Sequence, residues 1–182
     1  VRCLYLLCGM ADCADAADDS ELMQACERVF DDIANYKMYV TGAVGSTNIG
    51  EAFTIKYDLP NEKAYAETCA SIALMMFANR MAKYRKAAKY ADAAERAMYN
   101  GMLSGMSLSG DAFFYENPLE INLANQKKVP MFKEKDHYGI VKRVEIFECS
   151  CCPPNLNRML AAMGNYTYHI ENGECYVNQY MD

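Results

Sequence analysis

Apolar residues recur at three- and four-residue spacing along most of the chain, which is the pattern of helices with one buried face. The pattern predicts helices over residues 2–17, 20–36, 68–84, 88–102 and 156–163. Ser20 is the expected N-cap of the second helix, and Gly164 is the expected C-cap residue of the last. The buried stripe of the second helix is predicted to contain Leu22, Cys26, Val29, Phe30 and Ile33. The apolar side of the third is predicted to contain Ile72, Met75, Met76 and Phe77.

Between the helices, the pattern predicts loops and a few short extended segments. Residues 39–50 contain three glycines and several Ser, Thr and Asn residues, which is typical of a loop. Asn172-Gly173 is a hairpin-turn signal between two predicted strands, 166–170 and 174–180. Other strand-like segments are 52–57, 113–116 and 144–149, with a polar, lysine-rich stretch over 125–135. Strands and helices do not alternate regularly, so we expect a mainly helical scaffold carrying catalytic loops, and not a doubly wound sheet.

Composition and charge exclude several classes of partner. The 182 residues include 24 acidic and 18 basic side chains, and the net charge is −6. Nucleic-acid and membrane-surface binding both need an excess of Lys and Arg, so we expect neither partner. The sequence has no run of about 18 apolar residues that would predict a transmembrane helix. Nine cysteines cannot all pair, so we expect thiols or metal-bound thiolates in a reducing compartment, the cytoplasm.

The first and last predicted elements reach the ends of the sequence. Val1 leads directly into the apolar run 3–7, and the last predicted strand stops two residues before Asp182. Such elements usually pack against neighbouring segments, so we expect the chain to be an internal piece of a larger protein. The lack of a signal peptide then says nothing about export.

The densest chemical feature is the segment 149–154, Cys-Ser-Cys-Cys-Pro-Pro. Adjacent cysteines such as Cys151 and Cys152 do not easily pair with each other, because the bond strains the intervening peptide. These thiols are either small buried core residues or, as their density favours, a metal site or a reactive thiol. Cys149 has no assigned role. Five other cysteines are predicted to be core residues: Cys3, Cys8, Cys13, Cys26 and Cys175.

A second candidate cluster is Glu67-Thr68-Cys69. Residues two apart on a helix point in different directions, so Glu67 and Cys69 can converge on one ion only if one lies outside regular helix. Thr68 is a suitable N-cap, which would place Cys69 in the first helical turn. By itself the pattern also fits a surface glutamate beside a buried cysteine. Together with two cysteines from 149–152, it gives a four-ligand set suited to tetrahedral zinc.

Glu51 is the candidate proton donor. It follows the glycine-containing loop, and its neighbours Ile49 and Phe53 would partly desolvate its carboxyl group, which suits a general acid. The alternative is an ordinary solvated loop glutamate. His137 and His169 fit no metal-ligand pattern, so both are expected to be ordinary loop or strand residues.

Six short motifs appear in an order that closely resembles one enzyme family. They are Tyr-Val-Thr-Gly at 39–42, Gly-Glu-Ala-Phe at 50–53, Tyr-Asp-Leu-Pro-Asn at 57–61, Glu-Thr-Cys-Ala-Ser at 67–71, Tyr-Glu-Asn-Pro-Leu at 115–119 and Cys-Cys-Pro at 151–153. Over essentially its whole length, the chain resembles the β-L-arabinofuranosidases of glycoside hydrolase family 127. The resemblance implies part of an (α/α)6 helical barrel with catalytic loops, followed by a β-rich region. It also implies release of β-L-arabinofuranose with retention of configuration.

The resemblance assigns roles residue by residue. Glu51 matches the acid/base carboxylate, and Cys151 matches the nucleophile. The implied Zn²⁺ ligands are Glu67, Cys69, Cys151 and Cys152. Tyr115 falls where a tyrosine contacts the sugar.

We therefore expect two regions, a partial catalytic barrel over 1–165 and the start of a β-rich region over 166–182. The expected partners are an arabinofuranosyl oligosaccharide or glycoconjugate as substrate, and a second copy of the protein bound through domains outside this chain. Two alternatives stay open: a related zinc–cysteine exo-glycosidase with another sugar specificity, and a non-catalytic zinc–thiolate or redox-sensing module.

Overall fold

A computed structural model of the chain describes residues 1–126, 141–145 and 149–181. The described part is mainly helical, with one small hairpin. The helices are α1 (Arg2–Ala16), α2 (Ser20–Tyr36), α3 (Thr68–Arg85), α4 (Ala88–Arg96), α5 (Leu123–Gln126), α6 (Cys152–Ala161) and α7 (Gly164–Thr167). Strands β1 (Tyr168–Glu171) and β2 (Glu174–Val177) pair antiparallel. No helix in the described ranges is long and apolar enough to cross a membrane.

Helix α3 is the centre of the core. Eleven of its 18 residues are buried, because α1, α4 and α6 pack around it. Three aromatic rings join it to its neighbours: Phe30 of α2 contacts Phe77 of α3 at 5.7 Å and Tyr90 of α4 at 4.6 Å between ring centroids. The sequence predicted one apolar side for α3, but most of its faces are buried because other helices enclose it.

Helix α2 starts as predicted, but its cap and stripe differ from expectation. Its N-cap is Asp19, whose carboxylate accepts hydrogen bonds from the backbone N–H groups of Glu21 and Leu22. An ionised acceptor suits the positive helix end better than the predicted Ser20 hydroxyl. The buried face is Met23, Cys26, Phe30 and Ile33. Of the predicted stripe, Leu22 is only half-buried and Val29 is exposed.

The predicted helix over 88–102 is continuous but not α-helical throughout. Helix α4 passes at Ala97 into a π-helical turn, Ala97–Met102, and then into a 3-10 turn, Leu103–Gly105. Two glycines make close contacts at the π-turn, one with backbone atoms and one with a side chain. Gly42 approaches Arg96 and Ala97, and Gly101 approaches Ser71. The widened turn is thus the region where the glycine-containing loop and α3 dock on this helix.

The C-terminal part corrects several predicted boundaries. Helix α6 begins at Cys152, four residues before the prediction, because prolines in a first turn need no N–H partner. It ends at Ala161, and Gly164 opens α7 rather than capping α6. Strand β1 starts two residues later than predicted and β2 ends three residues earlier. The Asn172-Gly173 turn is confirmed, with positive φ at both residues.

The other strand-like segments do not form strands among the described residues. Ala52 pairs only with Thr47, and Phe113 forms isolated bridges with Met106 and Val144. The rest of the predicted segment after Val144 lies largely outside the described residues, as do His137 and most of the lysine-rich stretch. Of the predicted core cysteines, Cys8 and Cys26 are buried. Cys3, Cys13 and Cys175 are exposed, so that prediction was wrong for them.

Two glycines test the docking of the loop on the π-turn. Gly42 and Gly110 both have φ near +80°, so alanine is strained at either. A Cβ at position 42 would lie 2.5 Å from the backbone N of Ala97, whereas at 110 it would meet open space. We expect Gly42→Ala to destabilise the full-length protein by about 1–3 kcal/mol more than Gly110→Ala. Equal unfolding midpoints in denaturant titrations of the two variants would contradict this packing.

Candidate metal centre and active site

Four side chains from distant parts of the sequence converge at one buried point. Glu67, Cys69, Cys151 and Cys152 place one ligand atom each within 4.8 Å of all the others. Three of them are at most 3% exposed, and Cys151 is half-buried. The structure therefore brings together all four residues that the resemblance assigns to zinc.

Glu67 and Cys69 converge because the backbone changes conformation between them. Glu67 is the N-cap of α3, with extended ψ of 135°, and its side chain makes no capping hydrogen bond. Its carboxylate is therefore available to the cluster, while Cys69 lies in the first helical turn. The expectation that one of the pair lies outside regular helix is confirmed. The cap itself is Glu67, and the predicted cap residue Thr68 donates its hydroxyl to the Phe114 carbonyl instead.

Cys151 and Cys152 are supplied by the start of a second helix. Cys151 is the N-cap of α6 and Cys152 is its first residue. The cluster thus lies at the N-termini of both α3 and α6. The positive ends of the two helix dipoles favour ionised thiols and carboxylates at this point.

The spacing of the ligand atoms fits a tetrahedral metal ion. The Sγ–Sγ distances are 3.5 Å for Cys69–Cys152 and 3.8 Å for both Cys69–Cys151 and Cys151–Cys152. Oε1 of Glu67 lies 3.6 Å from the Cys151 sulfur and 3.9 Å from that of Cys152. A tetrahedral ion with metal–sulfur bonds of about 2.3 Å separates its sulfurs by roughly 3.8 Å. The sulfurs are far beyond disulfide distance, and the cluster could hold a metal ion.

The pKa values of the four groups are shifted in different directions. Burial raises the pKa of Glu67 to about 7, and the neighbouring charge on Cys151 adds to the rise. Hydrogen bonds from the Cys152 and Cys69 thiols hold the pKa of Cys151 well below its usual range. The same bond to Cys151 raises the pKa of Cys152. Cys151 is therefore the ligand whose ionised form its neighbours favour most, and a bound cation would favour the ionised form of all four.

Asparagine side chains hold the two ligand segments in place. Nδ2 of Asn117 donates to the Ala66 carbonyl at 2.9 Å and to Oγ1 of Thr68 at 3.1 Å. These bonds fix the backbone on both sides of Glu67. On the other segment, the Asn155 side chain hydrogen-bonds to Cys69. Such outer contacts orient metal ligands.

Tyr115 lies beside the cluster, with 5% of its surface exposed. Its hydroxyl hydrogen-bonds to Cys151, and its ring meets that of Tyr65 edge-on at 6.2 Å between centroids. Burial raises the pKa of both tyrosines, so both are neutral hydrogen-bond donors. The predicted sugar-contacting tyrosine thus contacts the predicted nucleophile.

Glu51 is connected to this group through Tyr65. The Tyr65 hydroxyl donates to Oε1 of Glu51 at 3.2 Å, and Arg2 forms a 2.9 Å ion pair with Oε2. The expected apolar flank is not formed on one side, because Ile49 is 60% exposed. The side chain of Glu51 is 34% exposed and is held by polar partners.

Sequence reasoning did not identify Arg2, Tyr65, Asn117 or Asn155 as site residues. Asn117 and Asn155 stand inside or next to motifs that mark the family, so motif position was the available signal for them. Arg2 and Tyr65 act across 49 and 14 residues of sequence on Glu51, and no local pattern indicates such contacts.

The fold matches that of glycoside hydrolase catalytic domains. The family model described as "Beta-L-arabinofuranosidase, GH127 catalytic domain" matches residues 1–165. The chain therefore belongs to the family 127 β-L-arabinofuranosidases.

Individual relatives agree in sequence and in structure. The non-reducing end β-L-arabinofuranosidase of Bifidobacterium longum subsp. longum is 39% identical over 176 residues, which is 95% of this chain and 26% of that protein. The crystal structure of a β-L-arabinofuranosidase from Geobacillus stearothermophilus T6 matches with TM-score 0.87 and 44% identity, over 97% of this chain and 27% of that one. A second family member, the β-arabinofuranosidase BT3674, matches with TM-score 0.85 and 39% identity, over 97% and 25%. The chain spans about a quarter of the length of these relatives.

Metal content tests the cluster directly. Cys152 and Cys26 are both fully buried cysteines, but only Cys152 belongs to the cluster. We expect the full-length protein, purified without chelator, to carry about one transition-metal ion per chain by elemental analysis. Cys152→Ser should lose most of this metal because it removes a thiolate ligand, and Cys26→Ser should keep it. Metal-free wild-type protein, or equal metal in the two variants, would contradict the site.

Proposed function

We propose that the chain is part of the catalytic domain of a retaining β-L-arabinofuranosidase that uses a cysteine nucleophile. The observation that carries the proposal is the convergence of Glu67, Cys69, Cys151 and Cys152 within 4.8 Å in a chain of this family.

We further propose that the helices form part of an (α/α)6 barrel over 1–165 and that 166–182 begins a β-rich region. The match of the family model to residues 1–165, with the β1–β2 hairpin following, supports this division.

Zinc is the metal that we propose for the cluster. Three thiolates and one carboxylate in tetrahedral spacing are a donor set suited to zinc, because soft sulfur ligands select it over magnesium or calcium. When bound, the ion would keep the coordinating thiols ionised near neutral pH. Glu67, Cys69 and Cys152 would hold it, and Cys151 would be both ligand and nucleophile.

Retention of configuration requires two displacements at the anomeric carbon. In the first, the Cys151 sulfur attacks that carbon, the bond to the leaving-group oxygen breaks, and the Glu51 carboxyl group gives its proton to that oxygen. In the second, the Glu51 carboxylate takes a proton from water, whose oxygen attacks the same carbon as the bond to sulfur breaks. Glu51 thus ends each cycle protonated and Cys151 ends it as a thiolate.

The surroundings of Cys151 support its role as the attacking group. It is the most exposed member of the cluster, and it lies at the N-terminus of α6, which favours its ionised form. Tyr115 donates to the same sulfur, and we propose that this tyrosine also contacts the sugar. The substrate that we propose is an arabinofuranosyl oligosaccharide or glycoconjugate.

The contacts of Glu51 favour this function over a non-catalytic zinc–thiolate module. Such a module needs only the four ligands and gives no reason for a buried tyrosine to hold a glutamate beside them. A family member with another sugar specificity would share all of these features, so sugar specificity is decided by assay of the full-length protein.

Glu51→Gln removes the proposed proton donor and keeps the size of the side chain. We expect kcat/KM for arabinofuranosides with poor, alkyl leaving groups to fall by about 10²–10⁴-fold, because these oxygens need protonation. Activated aryl leaving groups should be displaced almost normally, and the glycosylated enzyme should accumulate because its hydrolysis lacks a base. Peptide mapping of the quenched enzyme should find the sugar on Cys151.

Glu62→Gln is the matched control, since Glu62 is equally half-buried but accepts from Asn122 on another part of the chain. A uniform loss for all leaving groups in Glu51→Gln would contradict its acid role. A sugar adduct on any residue other than Cys151 would contradict the nucleophile.

A further inference from the structure

The two carboxylate oxygens of Glu51 are held by different kinds of donor. Oε1 accepts from the hydroxyl of Tyr65 at 3.2 Å, and Oε2 pairs with Nη1 of Arg2 at 2.9 Å. Nη2 of Arg2 also donates to the Gly50 carbonyl at 3.1 Å. The carboxylate therefore has one tyrosine-facing oxygen and one arginine-facing oxygen.

These donors differ in how firmly they are held. Tyr65 is 4% exposed and packs with Cys69, Tyr115 and Cys152. The Arg2 side chain is 75% exposed. Exposed ion pairs exchange readily with water, whereas a buried ring keeps its hydroxyl in place. Within the described chain, the Tyr65 hydroxyl is therefore the more firmly held of the two donors.

The backbone around Tyr65 is fixed by several independent contacts. The next residue, Ala66, has φ of +40°, which is strained for a residue with a Cβ. Its N–H donates to the Gly45 carbonyl and its carbonyl accepts from Asn117, each at 2.9 Å. Strain of this kind persists only where the surroundings hold it, and it places Tyr65 and Glu67 on either side of one locked residue.

The same tyrosine leads to the nucleophile. The Tyr65 and Tyr115 rings meet edge-on, with their centroids 6.2 Å apart, and the Tyr115 hydroxyl donates to Cys151. A continuous series of contacts therefore runs from Glu51 through the two tyrosines to the sulfur. Movement of Tyr65 would shift the carboxylate relative to the thiolate.

We propose that Tyr65 is a positioning residue that fixes Glu51 through Oε1, so that Oε2 is the oxygen that exchanges the proton with the leaving group and with water. The proposal rests on the acid/base role of Glu51 given above. Arg2 occupies Oε2 only until a substrate oxygen or a water molecule replaces it there.

Tyr65→Phe removes the hydroxyl and keeps the ring. In the full-length enzyme we expect kcat/KM to fall about 10–100-fold for alkyl arabinofuranosides, because a misplaced acid transfers its proton less efficiently. For activated aryl arabinofuranosides, the loss should stay within about threefold. Metal content and melting temperature should match those of the wild type. Tyr39→Phe is the control, since the buried Tyr39 hydroxyl donates to the Pro60 carbonyl and not to Glu51.

Arg2→Met, measured alongside, should leave the ratio of kcat/KM for good and poor leaving groups unchanged. Selective loss in Arg2→Met without selective loss in Tyr65→Phe would overturn the assignment of the two oxygens. A uniform loss in Tyr65→Phe, or loss of its metal, would overturn the positioning role. Glu51→Gln distinguishes failure of the positioning role from failure of the proposed function. If Glu51→Gln alone shows the selective loss, only the role of Tyr65 fails. If neither variant shows it, the proposed function fails.

Discussion

The meeting of two helix N-termini over four ionisable side chains is the constraint on which the rest of the structure depends. Three thiols and a carboxyl group within 4.8 Å repel one another as anions, and burial removes the water that would screen them. The ends of α3 and α6 offset part of this cost, and a cation would offset the remainder. The chain holds the four groups at metal-binding distances through its own packing, so the site is preorganised for an ion.

That preorganisation explains the construction of the surrounding chain. Helix α3 is rigid because most of its faces are packed in the core, so its first turn is a fixed platform for Cys69. Asn117 hydrogen-bonds to the segment that precedes α3, and the strained Ala66 lies between Tyr65 and Glu67. A single locked segment therefore presents one side chain to the cluster and another to Glu51. The locked segment thus contacts both proposed catalytic residues, because Tyr65 donates to Glu51 and the Glu67 carboxylate lies beside the Cys151 sulfur.

The sequence predicted the long helices and the hairpin turn because these depend on local periodicity and on Asn-Gly. It misplaced the caps at Ser20 and Thr68 by one residue, since a neighbouring acidic residue stood at the cap in both cases. Exposed Cys3, Cys13 and Cys175 could not be distinguished from core thiols by composition. The four ligands could be predicted from the sequence because their motifs are rich in cysteine. Tyr65 and Arg2 could not be predicted as site residues, because their contacts with Glu51 arise only when α1, the glycine-containing loop and α3 pack together.

The most direct test of the central claim is X-ray absorption at the zinc edge on the full-length protein purified without chelator. Our account predicts a four-coordinate ion with three sulfur ligands at about 2.3 Å and one oxygen at about 2.0–2.2 Å. A shell made only of nitrogen and oxygen ligands would contradict it, because Cys69, Cys151 and Cys152 would then not hold the metal.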